Sequence, residues 1–147
     1  MMGIYDPALC EPAARTLQLL GRRMALVIHG SGLDEVALHG PTTGVLVQEG
    51  ELRHITITPA DAGVRPAELA ALAGGGPAEN AEWLRGLLAG RGTDAHSDAV
   101  ALNAGTLAWA TGKAPNLREA VRLAREALAG GGGLTRLERL AELSHVA

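Results

Sequence analysis

The clearest feature of the hydrophobic pattern is residues 24–28, an uninterrupted run of five apolar side chains that ends at a loop bracketed by Gly30 and Gly32. Such a short run, ending in two β-branched residues, is typical of a strand buried on both faces. Strands of this kind usually lie in parallel sheets flanked by helices, and open α/β sheets bind ligands beyond the carboxyl ends of their strands. The pattern therefore predicts a sheet with a ligand site in the loop after this strand.

Helical spacing precedes the buried strand. Ile4 and Tyr5 are expected to end a short first strand. Asp6-Pro7 then predicts a helix start, because Asp is a preferred N-cap and Pro is favoured at the first helical position. Gly21 is placed to end this helix. The first strand, the helix and the strand at 24–28 are thus expected to form a βαβ unit.

The pattern changes twice after the loop. Partial alternation on either side of Gly50 predicts two strands, at about 45–47 and 52–57, which would form a β-meander with one solvated face. Glycine-punctuated helical spacing then predicts a short turn at 58–61 and helices at 66–72, 77–88, 98–110, 117–129 and about 134–143. The predicted fold class is α/β, with a short parallel or mixed sheet and about five to six helices.

Composition narrows the protein class. With 147 residues, 47% of them hydrophobic, the chain suits one globular domain, and a net charge of -3 offers no basic surface for nucleic acid. Cys10 is the single cysteine, which excludes an internal disulfide and fits a small buried side chain in a reducing compartment. The sequence shows no secretory leader pattern and no apolar run of about 18 residues, so a soluble cytoplasmic protein without membrane contact is expected.

Asp34 and Glu35 follow the glycine loop and are the first candidates for chemistry. Two adjacent carboxylates form a hard oxygen site suited to Mg²⁺ on a phosphorylated substrate. A solvated acidic turn is the alternative, and short acidic pairs alone favour it.

Other polar residues have both a chemical and a structural interpretation. His29 could contact a phosphate or act as an acid, but the apolar run at 24–28 precedes it directly, which favours a hydrogen-bonded structural histidine. Asn80 and Asn103 lie within predicted helices, where packing hydrogen bonds are favoured over substrate contact. Residues 96–98, His-Ser-Asp, could be part of a triad or a metal pair, yet Ser97 or Asp98 as a helix N-cap explains them more simply.

Seven short segments occur in an order and spacing that cover nearly the whole chain: GIYDPAL at 3–9, ALVIHGSGLDE at 25–35, GPT at 40–42, TPADAG at 58–63, GG at 74–75, ENA at 79–81 and LNA at 102–104. Together they resemble anthranilate phosphoribosyltransferase, the tryptophan-pathway member of the nucleoside-phosphorylase-like phosphoribosyltransferases. The most specific element is HG-x-GLDE, because relatives in the wider superfamily vary at the acidic pair.

The resemblance implies a role for the acidic pair. In this family Asp34 and Glu35 would bind the Mg²⁺ that sits on phosphoribosyl pyrophosphate. The ion would neutralise the growing charge on the departing pyrophosphate while the amine of anthranilate attacks the ribose carbon. The implied activity is phosphoribosyl transfer to anthranilate in tryptophan biosynthesis.

The chain departs from the family pattern at several motifs. Family enzymes begin with a small helical domain and carry a GTGGD pyrophosphate loop, a KHGNR stretch and an NPARP region for anthranilate, and these three motifs do not occur in the sequence. The glycines at 74–76 do not replace the loop, since Gly76 stands where the family has Asp, and they are interpreted as a helix terminator. Residues 1–147 are therefore expected to be a C-terminal part of the phosphoribosyltransferase α/β domain.

This departure leads to expectations about activity and association. The isolated chain is expected to be inactive, and its catalytic residues beyond the metal pair are unknown. An unpaired sheet edge and uncovered apolar faces on strand 24–28 should favour a homo-oligomer or a second chain that supplies the N-terminal half. The alternative function is a non-catalytic remnant, or the small subunit of a split enzyme, that acts as an interaction module.

Overall fold

The computed structural model describes residues 1–145 and shows a mixed sheet followed by a helical half, which comprises residues 59–144. The strands are β1 (Met2–Gly3), β2 (Met24–His29), β3 (Thr42–Gln48) and β4 (Glu51–Ile57). The helices are α1 (Cys10–Leu19), α2 (Pro59–Ala62), α3 (Pro77–Leu88), α4 (Asp94–Ala110), α5 (Leu117–Ala129) and α6 (Gly132–Ser144), with short 3-10 turns at Pro7–Leu9 and Leu69–Leu72. The predicted α/β class, with a short mixed sheet and about five to six helices, is confirmed.

The sheet has the order β1-β2-β3-β4. β1 runs parallel to β2 through the crossover helix α1, so the expected βαβ unit is present, although its first strand ends at Gly3 rather than at Ile4 and Tyr5. β2, β3 and β4 form an antiparallel meander, as predicted. The expectation of one solvated face is wrong for β3, because Val45 and Val47 are buried against α1 and Leu46 is buried in the core on the other face. Glu49 and Gly50 join its last two strands, and both have the positive φ that a type I′ hairpin turn requires.

β2 is buried on both faces, as predicted, by elements of this same chain. Leu26 and Ile28 belong to the core cluster formed with the helical half, whereas Val27 belongs to a second cluster with Cys10 and Ala14 of α1. The expectation that the faces of strand 24–28 are uncovered is therefore wrong. Among residues 1–145 the unpaired edges are at β1 and β4, each of which has a single strand neighbour.

Two of the long helices have the predicted bounds, and a third begins earlier. α3 and α5 match, whereas α4 starts at Asp94 because the side chain of Thr93 accepts a hydrogen bond from the His96 N–H and caps the helix there. The prediction that Ser97 or Asp98 is the N-cap is wrong, and both lie inside α4. Across the part of the chain that the structure describes, no helix is long and apolar enough to cross a membrane.

The helix predicted at 66–72 is reduced to the 3-10 turn at Leu69–Leu72. Glu68 has extended backbone angles, φ -63° and ψ 147°, so the turn begins only after it. The N–H of Ala67, in the extended segment before the turn, donates to the Leu38 carbonyl at 3.2 Å. The glycines at 74–76 consequently form a loop that leads into α3, with Gly76 as its N-cap, and do not terminate an α-helix. The last helix begins at Gly132, slightly before the predicted start.

Candidate functional site

The acidic loop, defined as residues 30–38, begins with a tight turn at the carboxyl end of β2. The Gly30 N–H donates to the Leu33 carbonyl at 2.9 Å, and the Leu33 N–H donates back at 3.1 Å. Ser31 and Gly32, the two central residues, have φ values of 50° and 98°, as a type I′ turn requires. Asp34 and Glu35 follow this turn with exposed side chains. Their predicted place beyond a buried strand is confirmed, while their metal-binding role stays a prediction.

Two glycines allow the backbone of the acidic pair to pack tightly against its neighbours. A Cβ atom on Gly3 would lie 1.4 Å from the carbonyl oxygen of Asp34, and one on Gly30 would lie 2.0 Å from that of Glu35. Since no side chain fits in either space, β1 and the turn support the two acidic residues directly through backbone contact.

Asn103 of α4 holds the residue that follows the acidic pair. Its Oδ1 accepts a hydrogen bond from the Val36 N–H at 2.9 Å, and its Nδ2 donates to the Val36 carbonyl at 3.1 Å and to that of Ala99 at 3.0 Å. The prediction that Asn103 makes packing hydrogen bonds is confirmed. The link to the acidic loop was missed, because nothing local in the sequence connects positions 36 and 103.

His29 has a structural role at the base of the loop. Its Nδ1 lies 3.0 Å from the Ile4 carbonyl, and the Gly32 N–H donates to its Nε2 at 3.0 Å. Because Nε2 accepts from a backbone donor, Nδ1 must carry the proton of the neutral ring. The predicted hydrogen-bonded structural histidine is confirmed, and both ring nitrogens are used by backbone groups.

Residues 96–98 do not assemble into a triad. The Nδ1 of His96 pairs with the Thr93 hydroxyl at 2.9 Å, at the start of α4. One oxygen of Asp98 instead accepts two hydrogen bonds from Arg125 of α5, at 3.1 Å and 2.5 Å. His96 therefore bonds at the start of α4, and Asp98 links α4 to α5, so the two side chains do not bond to each other.

The acidic pair matches the donor set that Mg²⁺ uses. Among residues 1–145, no three or more His, Cys, Asp and Glu side chains are grouped so that they could hold a metal ion. Asp34 and Glu35 thus offer at most two protein ligands. Mg²⁺ typically keeps several waters and is bound by one or two carboxylates together with substrate phosphates. Two exposed carboxylates on a firmly supported loop fit that mode of binding.

A comparison with known families covers nearly the whole chain. The sequence profile described as "Glycosyl transferase family, a/b domain" matches residues 1–134. The chain belongs to this glycosyl transferase family. The match includes the sheet, the acidic loop and Asn103, and it ends within α6.

The curated relatives within the glycosyl transferase family agree with the resemblance drawn from the seven segments. The chain is 58% identical over 144 residues to an anthranilate phosphoribosyltransferase from Sorangium cellulosum, covering 98% of this chain and 41% of that protein. It is 46% identical over 145 residues to one from Colwellia psychrerythraea, covering 99% and 40%. The chain therefore spans about two fifths of the length of the curated relatives it matches.

Solved structures show the same fold over this part. An anthranilate phosphoribosyltransferase (TrpD) from Thermus thermophilus superposes with a TM-score of 0.83 at 43% identity, covering 93% of this chain and 40% of that one. The enzyme from Saccharomyces cerevisiae in complex with PRPP and Mg gives 0.83 at 26% identity, covering 92% and 40%. The architecture described above is thus shared with experimentally determined glycosyl transferases.

Two other features of this member of the glycosyl transferase family lie apart from the acidic loop. A groove of about 950 Å³ runs between α3 and α4 and is lined by apolar side chains such as Trp83, Leu87 and Val100, but not by the acidic pair. Cys10 is buried, and this burial raises the pKa of its thiol, with the nearby charge of Asp6 adding to the shift. The interpretation of Cys10 as a small buried side chain is confirmed.

Proposed function

We propose that this chain supplies the magnesium-binding part of an anthranilate phosphoribosyltransferase, which transfers phosphoribosyl from phosphoribosyl pyrophosphate to anthranilate in tryptophan biosynthesis. The observation that best supports this proposal is the pair of exposed carboxylates, Asp34 and Glu35. They lie on a loop that follows the carboxyl end of a buried strand and packs against the backbone of Gly3 and Gly30. The names of the relatives, one of them solved with PRPP and Mg, support this substrate class.

In this proposal Asp34 and Glu35 hold the ion through their carboxylates, and substrate phosphates and waters complete its shell. The bound Mg²⁺ supplies charge neutralisation at the pyrophosphate. The loop's own contribution is to fix the backbone of the two exposed acidic residues, because that backbone packs against Gly3 and Gly30.

Catalysis also requires groups that these 147 residues do not contain. The GTGGD, KHGNR and NPARP motifs, which the family uses for pyrophosphate and anthranilate, do not occur in the sequence. Loss of a single preorganised donor costs on the order of 10²–10³ in rate in other enzymes. We therefore expect negligible activity from the 147-residue polypeptide by itself, and activity when the remaining groups are supplied.

The unpaired edge at β1 is compatible with both this function and a second candidate. β1 offers one unpaired strand edge, and the first nine residues expose the side chains of Met1, Met2, Tyr5 and Leu9. An open edge beside apolar side chains favours pairing with another strand. The partner is a second copy or a polypeptide that carries the missing motifs. If no catalysis accompanies the pairing, the chain is an interaction module.

The test follows the loss of anthranilate fluorescence with phosphoribosyl pyrophosphate and Mg²⁺. The chain is assayed alone and after co-expression with the part of the Sorangium cellulosum relative that lies outside the matched region. We expect turnover from the combination only. Combined Asp34→Asn and Glu35→Gln substitutions should then lower the rate by about 10²-fold or more, as expected for lost electrostatic stabilisation.

The control is the combination Glu49→Gln and Glu51→Gln, which removes two exposed carboxylates at the opposite end of the sheet. It should leave the rate unchanged. A combination that is active and insensitive to neutralisation of Asp34 and Glu35 would show that the metal assignment is wrong. A stable but inactive complex would favour the interaction module.

A further inference from the structure

The side chain of Asn103 satisfies both polar backbone groups of Val36, which comes directly after Glu35. The Val36 N–H belongs to the peptide unit that Glu35 shares with Val36, so this hydrogen bond fixes the orientation of the peptide beside the acidic pair. Resting on the magnesium role proposed above, we propose that Asn103 is a positioning residue that keeps Asp34 and Glu35 in a metal-binding arrangement.

The loop depends on this side chain because, within residues 1–145, Val36 is not paired with any strand. Val36 is buried, at 3% exposure, and buried backbone N–H and C=O groups must be paired. The amide of Asn103 provides both partners from a different element, α4. Without it, the two groups of Val36 would have to find water or other partners, and the loop backbone would reorient.

The hydrogen-bonding capacity of the Asn103 amino group is fully used. Its Nδ2 carries two hydrogens, which serve the carbonyls of Val36 and Ala99. The bond to Ala99, one turn earlier in α4, fixes the side-chain rotamer. Because both hydrogens already have acceptors within the chain, Asn103 is better suited to hold the loop than to donate to a substrate.

The acidic pair is thus held by three separate elements. Gly3 of β1 and Gly30 of the turn contact the carbonyl oxygens of Asp34 and Glu35, and Asn103 of α4 binds the next residue. Groups that orient metal ligands without touching the metal typically change its affinity by 10–100-fold when they are mutated.

The chain offers a close internal control. Asn80 pairs in the same two-way manner with Gly75, whose N–H donates to its Oδ1 at 2.8 Å and whose carbonyl accepts from its Nδ2 at 3.0 Å. Asn80→Ala removes the same pattern from a loop without the acidic pair. Thr106→Val is a second control, because it removes a buried side-chain hydrogen bond to Leu102 within α4.

The experiment uses the 147-residue chain and Mn²⁺ as a paramagnetic substitute for Mg²⁺. In amide NMR spectra, Mn²⁺ should selectively broaden the signals of residues 34–37 in the wild type. Asn103→Ala should require about 10-fold more Mn²⁺ for the same broadening, in line with lost support of metal ligands. Hydrogen exchange at the Val36 amide should accelerate in the same variant. Both readouts should be unchanged in Asn80→Ala and Thr106→Val.

Asn103→Asp gives an independent variant if alanine prevents folding. It keeps an acceptor for the Val36 N–H but loses both donors, and its added negative charge alone would strengthen cation binding. Weaker Mn²⁺ binding by this variant would therefore be caused by altered geometry.

Wild-type Mn²⁺ affinity in a folded Asn103→Ala chain would overturn the inference, as would an equal loss in Thr106→Val. A wild type without selective broadening at Asp34 and Glu35 would refute the metal site and the inference together. If binding depends on Asn103 but the co-expressed enzyme shows no transferase activity, the proposed reaction fails while the positioning role stands.

Discussion

Gly3 packs so closely against the backbone of Asp34 that no side chain fits between them. A Cβ atom added to Gly3 would lie only 1.4 Å from the Asp34 carbonyl oxygen. Because that neighbour is backbone, it cannot move aside as a flexible side chain would. Gly3→Ala should lower the free energy of unfolding by about 1–3 kcal/mol, the usual cost of overpacking. Urea denaturation followed by circular dichroism measures this change.

Gly86 provides the matched control for that substitution. It lies inside α3 with open space around its Cα, so Gly86→Ala should raise the free energy of unfolding by about 0.5–1 kcal/mol through helix propensity. The two alanine substitutions should thus have opposite signs. Equal effects would contradict the close approach of β1 to the acidic loop.

The neutral ring of His29 should have its proton on Nδ1. That tautomer is required because Nδ1 donates to the Ile4 carbonyl while Nε2 accepts from the Gly32 N–H. Long-range nitrogen–proton NMR correlations distinguish the two ring nitrogens directly. His54 lies on the exposed strand β4, and its Nε2 faces the Glu11 carboxylate, so it is the comparison within the same spectrum. An Nε2-protonated neutral His29 would contradict the backbone pairing.

Asp61 should titrate below its ordinary value of 3.8, because the hydroxyl and the N–H of Thr58 donate to its carboxylate and lower its pKa. Carbon NMR of the carboxyl group measures this shift. Thr58→Val should raise the pKa towards the ordinary value, and Thr58→Ser should keep it low.

The same shift gives a pH dependence of stability. A carboxylate whose folded pKa is lowered stabilises the fold above its unfolded value, and this stabilisation is lost as the pH falls through the lowered folded value. The difference in stability between wild type and Asp61→Asn should therefore be present above about pH 4 and should shrink below it. A difference that grows on acidification would have the wrong sign.

Arg125 and Asp98 should contribute to the contact between α4 and α5. Arg125→Met keeps the apolar part of the side chain but leaves Asp98, whose side chain is 20% exposed, without its partner. We expect a loss of about 1 kcal/mol, or a Tm lower by about 2–4 °C for a chain of this size. Arg139→Met removes an ion pair to Glu142 on the exposed face of α6 and should cost less than about 0.5 kcal/mol.

The sequence predicted those parts of the fold whose signals are local. The strand at residues 24–28 is marked by its own apolar run and by Gly30. Pro77 starts α3, and Asn116 caps α5 with a side chain that accepts from the Glu119 N–H. The position of the acidic pair after the buried strand follows from the same short stretch.

The sequence could not predict features that depend on distant contacts. The start of α4 was misplaced because Thr93, Ser97 and Asp98 are all good capping residues, and it is Thr93 that caps the helix in the structure. Both faces of β2 are buried because α1 packs on one face and the helical half packs on the other. The periodicity of the sequence does not specify how these elements dock. The Asn103–Val36 pairing likewise joins residues that are adjacent only in the folded chain.

This last pairing also affects the order of folding. Val36 and Asn103 are 67 positions apart, so their contact carries the entropy of closing a long loop. Strands β2 to β4 form a hairpin meander of short sequence separation and can pair during synthesis before α4 emerges from the ribosome. In a nascent chain the arrangement of the two carboxylates therefore cannot be completed until residue 103 of α4 is available, whereas β3 and β4 pair without any residue beyond 57. Cation binding would then report that folding has proceeded at least as far as α4.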